Sequence, residues 1–211
     1  MSTEQLIETI DNRPDNEKWP DVMVDLETTG LNKERNAIIQ IASIKFNLAE
    51  QTVCPIFFNR CLDIPKHRFF DEGTREWWLK DKRETLMSIL GKGEHHEKVL
   101  KDWMDYMFGG RRFWSKPTHF DYCFIESYLA DMGEKMPVHY WTAENMNSFI
   151  RGRYFPQPAP RWEKELEMLG SAHDAIYDCL HQINVLFTAV NDTTVSSARY
   201  TREAQENSHV V

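Results

Sequence analysis

Polar and apolar positions first alternate at residues 22–27, where Val22, Val24 and Leu26 face away from Met23, Asp25 and Glu27. A period of two predicts a strand with one face toward a core. Thr28-Thr29-Gly30 closes it as a turn. An isoleucine-rich run over 37–46 and a shorter apolar run over 56–59 predict two more strands. Their short connections favour an antiparallel meander. Beyond a loop containing Pro65 and Gly73 the period becomes helical. Short helices are expected at 74–79 and 81–90, the second opened by Asp81 and Glu84 as a capping pair. A longer amphipathic helix over 94–108 stops at Gly109-Gly110. Residues 112–115 read as a strand, 120–132 as a helix, 138–142 as the fifth strand and 143–150 as a helix. Three prolines make 151–161 a loop. The last helix, 174–190, carries Ile176, Cys179, Leu180, Ile183, Phe187 and Val190 on one face, with Ser171 opening it. Three early strands followed by alternating helix and strand predict an α/β sandwich around a mixed sheet.

The same pattern sets the boundaries. Residues 1–20 form a polar extension, 21–190 a folded domain and 191–211 a polar tail. With 211 residues, 41% of them hydrophobic, the chain is long enough for one sizeable core. No apolar run approaches the roughly 18 residues that span a bilayer, and the acidic N-terminus is unlike a leader. Cys54, Cys61, Cys123 and Cys179 make no CxxC pair and no zinc spacing, so free thiols are expected. A cytoplasmic protein with no membrane partner follows, in the host cytoplasm if the chain is viral. Whether it is a monomer or a homodimer is not written in the pattern.

A net charge of −8 runs against binding nucleic acid, which favours a basic surface. The objection weakens where the acids gather to hold divalent cations. Small basic groups exist at Lys66 with Arg68, Lys80 with Lys82 and Arg83, Arg111 with Arg112, and Arg151 with Arg153. Most are expected to be solvated surface charges.

Three groupings carry candidate chemistry. Asp25 and Glu27 share one face of a strand, and adjacent carboxylates repel unless a cation neutralises them. Oxygen donors suit magnesium or manganese. A lone D-x-E is more often a pair of solvated acids, and Asp121 by itself is accounted for by a helix first turn. His173 and Asp178, five residues apart, are rotated by roughly 140° on a helix, so His173 belongs at or before its first turn. There an imidazole can serve as a general base.

Taken in order, these pieces resemble the DEDDh (DnaQ-like) 3′–5′ exonuclease superfamily. Asp25-Leu26-Glu27-Thr28-Thr29-Gly30 is similar to its first motif, Phe120-Asp121 to its second, and the segment from His173 to Asp178 to its third. A narrower likeness, in Gly73-Thr74-Arg75-Glu76-Trp77-Trp78, Phe113-Trp114-Ser115 and Ala172-His173-Asp174, is to exonuclease A of T-even-type bacteriophages and to mycobacterial exoribonuclease-like proteins. The chain departs from those relatives at Asn145-Met146-Asn147-Ser148.

The resemblance implies a ribonuclease-H-like fold, a mixed five-stranded sheet flanked by helices. It implies two divalent ions, Mg²⁺ or Mn²⁺, held by Asp25, Glu27, Asp121 and Asp178, with His173 as base. The expected substrate is single-stranded nucleic acid with a free 3′ end, DNA before RNA, released as nucleoside monophosphates. Leu26 and Thr28 are placed to touch the terminal nucleotide. Of Trp77 and Trp78, adjacent on a helix, one is expected to pack and one to reach the substrate. Trp103, Trp114, Trp141 and Trp162 are expected to be structural. A binding module that has lost catalysis is disfavoured because no acid is missing. A zinc hydrolase is disfavoured because His95-His96 and the other histidines show no ligand spacing.

Overall fold

A computed structural model describes residues 13–193. Residues 1–12 of the expected N-terminal extension and 194–211 of the expected tail lie outside the described residues. The elements are α1 (Asp15–Lys18), β1 (Asp21–Thr28), β2 (Ile38–Asn47), β3 (Thr52–Cys61), α2 (Glu72–Asp81), α3 (Arg83–Leu90) and α4 (His96–Met107). Then follow β4 (Arg112–Ser115), α5 (Thr118–Asp131), β5 (Ala143–Asn145), α6 (Met146–Tyr154), α7 (Trp162–Glu165) and α8 (Ala175–Asn191).

The strands form one sheet in the order β3-β2-β1-β4-β5. The first three make the expected antiparallel meander. β1 is parallel to β4, and β4 to β5. The sheet is thus mixed, five-stranded and covered by helices.

Alternation along β1 feeds two cores. Val22, Val24 and Leu26 pack with Val99, Leu100 and Trp103 of α4 and with Ile125 and Leu129 of α5. Met23 packs on the other face with Ala42 and Ile44 of β2 and with Cys179, Ile183 and Leu186 of α8. β2 is buried along its whole length, which explains why a nearly continuous apolar run encodes it.

Several local expectations shift. β3 extends further toward the N-terminus than 56–59, and its edge position leaves Ile56 and Phe57 exposed. The fifth strand is not at 138–142. Residues Tyr140–Thr142 form a 3₁₀ turn, and pairing to β4 begins at Ala143 opposite Phe113. The helix expected at 143–150 starts three residues later because the Asn145 side chain caps it, accepting from the Ser148 N–H at 3.2 Å. Asp81 ends α2 instead of opening α3, and Asp174 rather than Ser171 occupies the N-cap of α8. α6 runs on through Tyr154 into the segment expected as a loop, and the short α7 follows the prolines. Trp103 and Trp114 are buried, whereas Trp141 is 67% exposed and so is not a core residue.

Two arginines expected on the surface are structural. Arg68 is buried, stacks over Tyr128 at 3.9 Å and pairs with Asp131 at 2.7 Å. Arg112 pairs with the fully buried Asp21. Asp21 also accepts from the Trp114 ring N–H at 2.7 Å and the Leu48 N–H at 3.1 Å, tying the start of β1 to β4 and to the β2–β3 turn. Asp21→Ala strands these donors, so a loss of about 3 kcal/mol is expected in urea unfolding.

Candidate active site

The pairing of β1 with β2 slips between Glu27 and Thr28, and this bulge bends the strand end that carries the first two acids. Asp25 and Glu27 lie on the face covered by α8, and the Gln182 amide of α8 donates to Asp25 Oδ1 at 2.8 Å. Asp121 is buried in the first turn of α5 and accepts from the Leu26 N–H. Asp178 stands in the first turn of α8. Four acids from three distant segments of the chain thus converge at the C-terminal end of β1, where the charges of Asp121, Glu27 and Asp178 all bear on Asp25.

None of the four is in an ion pair among the described residues, and the cost shows in their acidities. Burial pushes the Asp25 carboxyl well above its ordinary range, and the three neighbouring acids raise it further against the Gln182 hydrogen bond. Glu27 is pushed up to about 8, by burial first and then by Asp178 and Asp121. Asp121 is pushed up to about 7, chiefly by burial, and Asp178 is raised for the same reason.

His173 lies just ahead of α8 with φ +66°, a left-handed conformation rare outside glycine. Its N–H donates to Asp178 Oδ2 at 2.9 Å. The turn brings its ring inward, so that ligating atoms of Glu27, His173 and Asp178 lie within 4.8 Å of one another. Burial, with Lys82 nearby, lowers the imidazole pKa against the pull of Asp178. The ring is therefore neutral, with a free lone pair, at neutral pH.

A cleft of about 560 Å³ opens beside it, lined by Leu26, Glu27, Thr28, Trp77, Trp78, Phe120 and His173 among others. Trp78 is 1% exposed and its ring N–H donates to the Thr28 carbonyl at 3.3 Å. Trp77 is 38% exposed and stands edge-on to the His173 ring at 4.9 Å. All nine residues singled out in the sequence thus surround one cleft or its acidic floor. Gln182 and Phe120 were missed. Gln182 follows Asp178 by four residues, one helical turn, and so shares its face; Phe120 carries no signal beyond its place beside Asp121.

An all-oxygen donor set of mutually repelling, poorly solvated carboxylates fits hard divalent cations such as Mg²⁺ or Mn²⁺. A family model described as the 3′–5′ exoribonuclease Rv2179c-like domain matches residues 20–190. The chain belongs to this family. No curated protein matches it in sequence. As an Rv2179c-like chain it carries a 3′–5′ exonuclease domain, and its fold recurs in solved nucleases. The zinc-bound complex of E. coli ExoI with single-stranded DNA superposes with TM-score 0.66 at 16% identity, over 87% of this chain and 43% of that one. The nuclease domain of 3′hExo, a DEDDh family member bound to rAMP, gives 0.60 at 13%, over 82% and 93%. S. pombe Pop2p with Mg²⁺ and Mn²⁺ bound gives 0.61 at 12%, over 82% and 83%. At such identities the likeness carries the fold, and this Rv2179c-like chain spans less than half of ExoI.

Proposed function

We propose that the protein is a divalent-metal-dependent 3′–5′ exonuclease acting on single-stranded nucleic acid and releasing nucleoside monophosphates. The observation that carries this reading is the convergence of Asp25, Glu27, Asp121 and Asp178, none of them in an ion pair among the described residues, under a His173 whose imidazole pKa is lowered by burial. The four carboxylates would hold two ions, which when bound supply positive charge for activating water and stabilising the departing 3′-oxygen. His173 takes the proton of the attacking water on its free ring nitrogen. The Asp178 carboxylate, accepting from the His173 N–H, keeps that ring turned inward. Leu26, Thr28, Trp77 and Phe120 shape the room for the terminal nucleotide.

Digestion of 5′-labelled single-stranded DNA and RNA with Mg²⁺, Mn²⁺ or EDTA tests this. A metal-dependent ladder shortening from the 3′ end is expected; a folded protein inert on both polymers would end the exonuclease reading. The phage-like segments around Trp77 and His173 favour DNA, while the family description and the rAMP seen in 3′hExo favour RNA. The faster polymer decides. Trp77→Ala is expected to raise KM roughly 5-fold or more, since stacking on an aromatic contributes about 1–3 kcal/mol per base. Trp77 also packs edge-on against Trp78 at 5.1 Å, so circular dichroism should first confirm that the variant is folded.

A further inference from the structure

The acidic cleft has room for a terminal nucleotide, but a chain of net charge −8 must also hold the rest of a polyanion. A second cleft, of about 240 Å³, lies where α6, the segment leading into α7, and α8 meet. Its lining carries Arg151, Arg161 and Lys164 against one acid, Glu163. The Glu163 carboxylate pairs with Lys116. Among the described residues none of the three lining cations is in an ion pair; Arg151 donates to the Ser148 hydroxyl at 3.4 Å. Other clefts differ: the one bordered by Arg60 and Lys92 also holds Glu84, Glu94 and Asp174.

One helix links the acidic cluster to the second cleft. Asp178, His181 and Val185 of α8 are spaced by three and four residues and share a face. Asp178 belongs to the acidic cluster, the His181 ring nitrogen lies 3.1 Å from the Glu163 carbonyl, and Val185 lines the second cleft. Seven residues of helix advance about 10 Å. That is about three nucleotides at the ~3.4 Å rise of a stacked strand. Lys116, which pairs with Glu163, also acts on the Asp178 charge, so this ion pair stands between the acids and the second cleft.

We propose that Arg151, Arg161 and Lys164 bind the phosphodiester backbone of the substrate strand on the 5′ side of the scissile bond. The proposal rests on the exonuclease reading and gives it a second anchoring point. Two of the three groups are guanidinium forks, which match phosphate oxygens in pairs.

The test compares the protein with an Arg151→Glu/Arg161→Glu/Lys164→Glu variant, and with the milder triple glutamine variant, each checked for fold by circular dichroism. Fluorescence anisotropy measures affinity for a labelled 20-nucleotide strand in EDTA over a range of salt. Turnover is then measured with metal on that strand and on thymidine 5′-(p-nitrophenyl phosphate), which has no strand beyond the scissile bond. The glutamate variant is expected to bind at least 10-fold more weakly. Its log K against log salt slope should be shallower by about 2, from three lost phosphate contacts at ~0.7 each. KM should rise for the strand alone, with ester turnover held within 2-fold, and the glutamine variant should follow in the same direction. Unchanged affinity and slope would overturn the proposal, as would ester turnover falling as far as strand turnover. A wild-type protein inert on the ester and on 20-nucleotide strands of both DNA and RNA would remove the exonuclease reading, and the anisotropy comparison would still decide whether these cations hold the strand.

Discussion

Asp25→Asn is expected to lower the rate of nucleotide release by roughly 1000-fold or more, and at the same time to raise the melting temperature of the metal-free protein. The two effects share one cause. Asp25 sits among Glu27, Asp121 and Asp178 with Gln182 as its hydrogen-bond donor, and its ionised form is opposed by burial and by all three neighbours. An asparagine keeps an oxygen for Gln182 and removes the charge. Without metal that relieves repulsion; with metal it deletes a ligand oxygen whose charge the reaction needs, worth about 4 kcal/mol at 1.36 kcal/mol per decade. Single-turnover cleavage and calorimetry in EDTA measure the pair of outcomes. His173→Ala is the control for a group that moves a proton and holds no unneutralised charge. Its rate should fall roughly 100- to 10,000-fold with no comparable thermal gain. If Asp25→Asn melts lower than the wild type in EDTA, the four carboxylates do not strain the metal-free fold.

The placement of these acids was legible wherever a short-range period decides it. Asp25 and Glu27 follow from strand alternation, and the division of labour between Trp78, in the core, and Trp77, at the cleft, follows from adjacency on a helix. The 140° offset puts His173 ahead of α8, but its left-handed backbone is set by the Asp178 hydrogen bond, a contact that no propensity encodes. Long-range pairing explains the misses. β5 is three residues long and exists because Ala143–Asn145 meet β4, so neither its own residues nor the more strand-like Val138 announce it. Arg68 reads as a loop cation until Asp131 and Tyr128 arrive from α5. Fold class was readable because β1 and β2 are long and strongly patterned; the edge strand and the buried ion pairs were not, because their partners lie some 30 to 90 residues away.

The metal-free protein is expected to lose stability as pH rises from about 5 to 8, and added Mg²⁺ or Mn²⁺ to restore it. Glu27 at about 8 and Asp121 at about 7 lie above their ordinary values of 4.5 and 3.8. The folded state therefore holds more protons than the unfolded state throughout that window. Linkage then requires unfolding free energy to fall with rising pH, the penalty being absent below the unfolded values and complete above the folded ones. A drop of roughly 5–10 °C in melting temperature between pH 5 and 8 is expected in EDTA, from a few kcal/mol spread over a domain of this size. Saturating divalent ions should flatten the curve, because a cation replaces the protons as counter-charge and binds the folded state alone. Glu27→Gln should flatten part of it without any ion. A melting temperature that rises across the window in EDTA would mean that these carboxylates ionise freely in the fold. A cluster without that repulsion has no need of a cation to neutralise it.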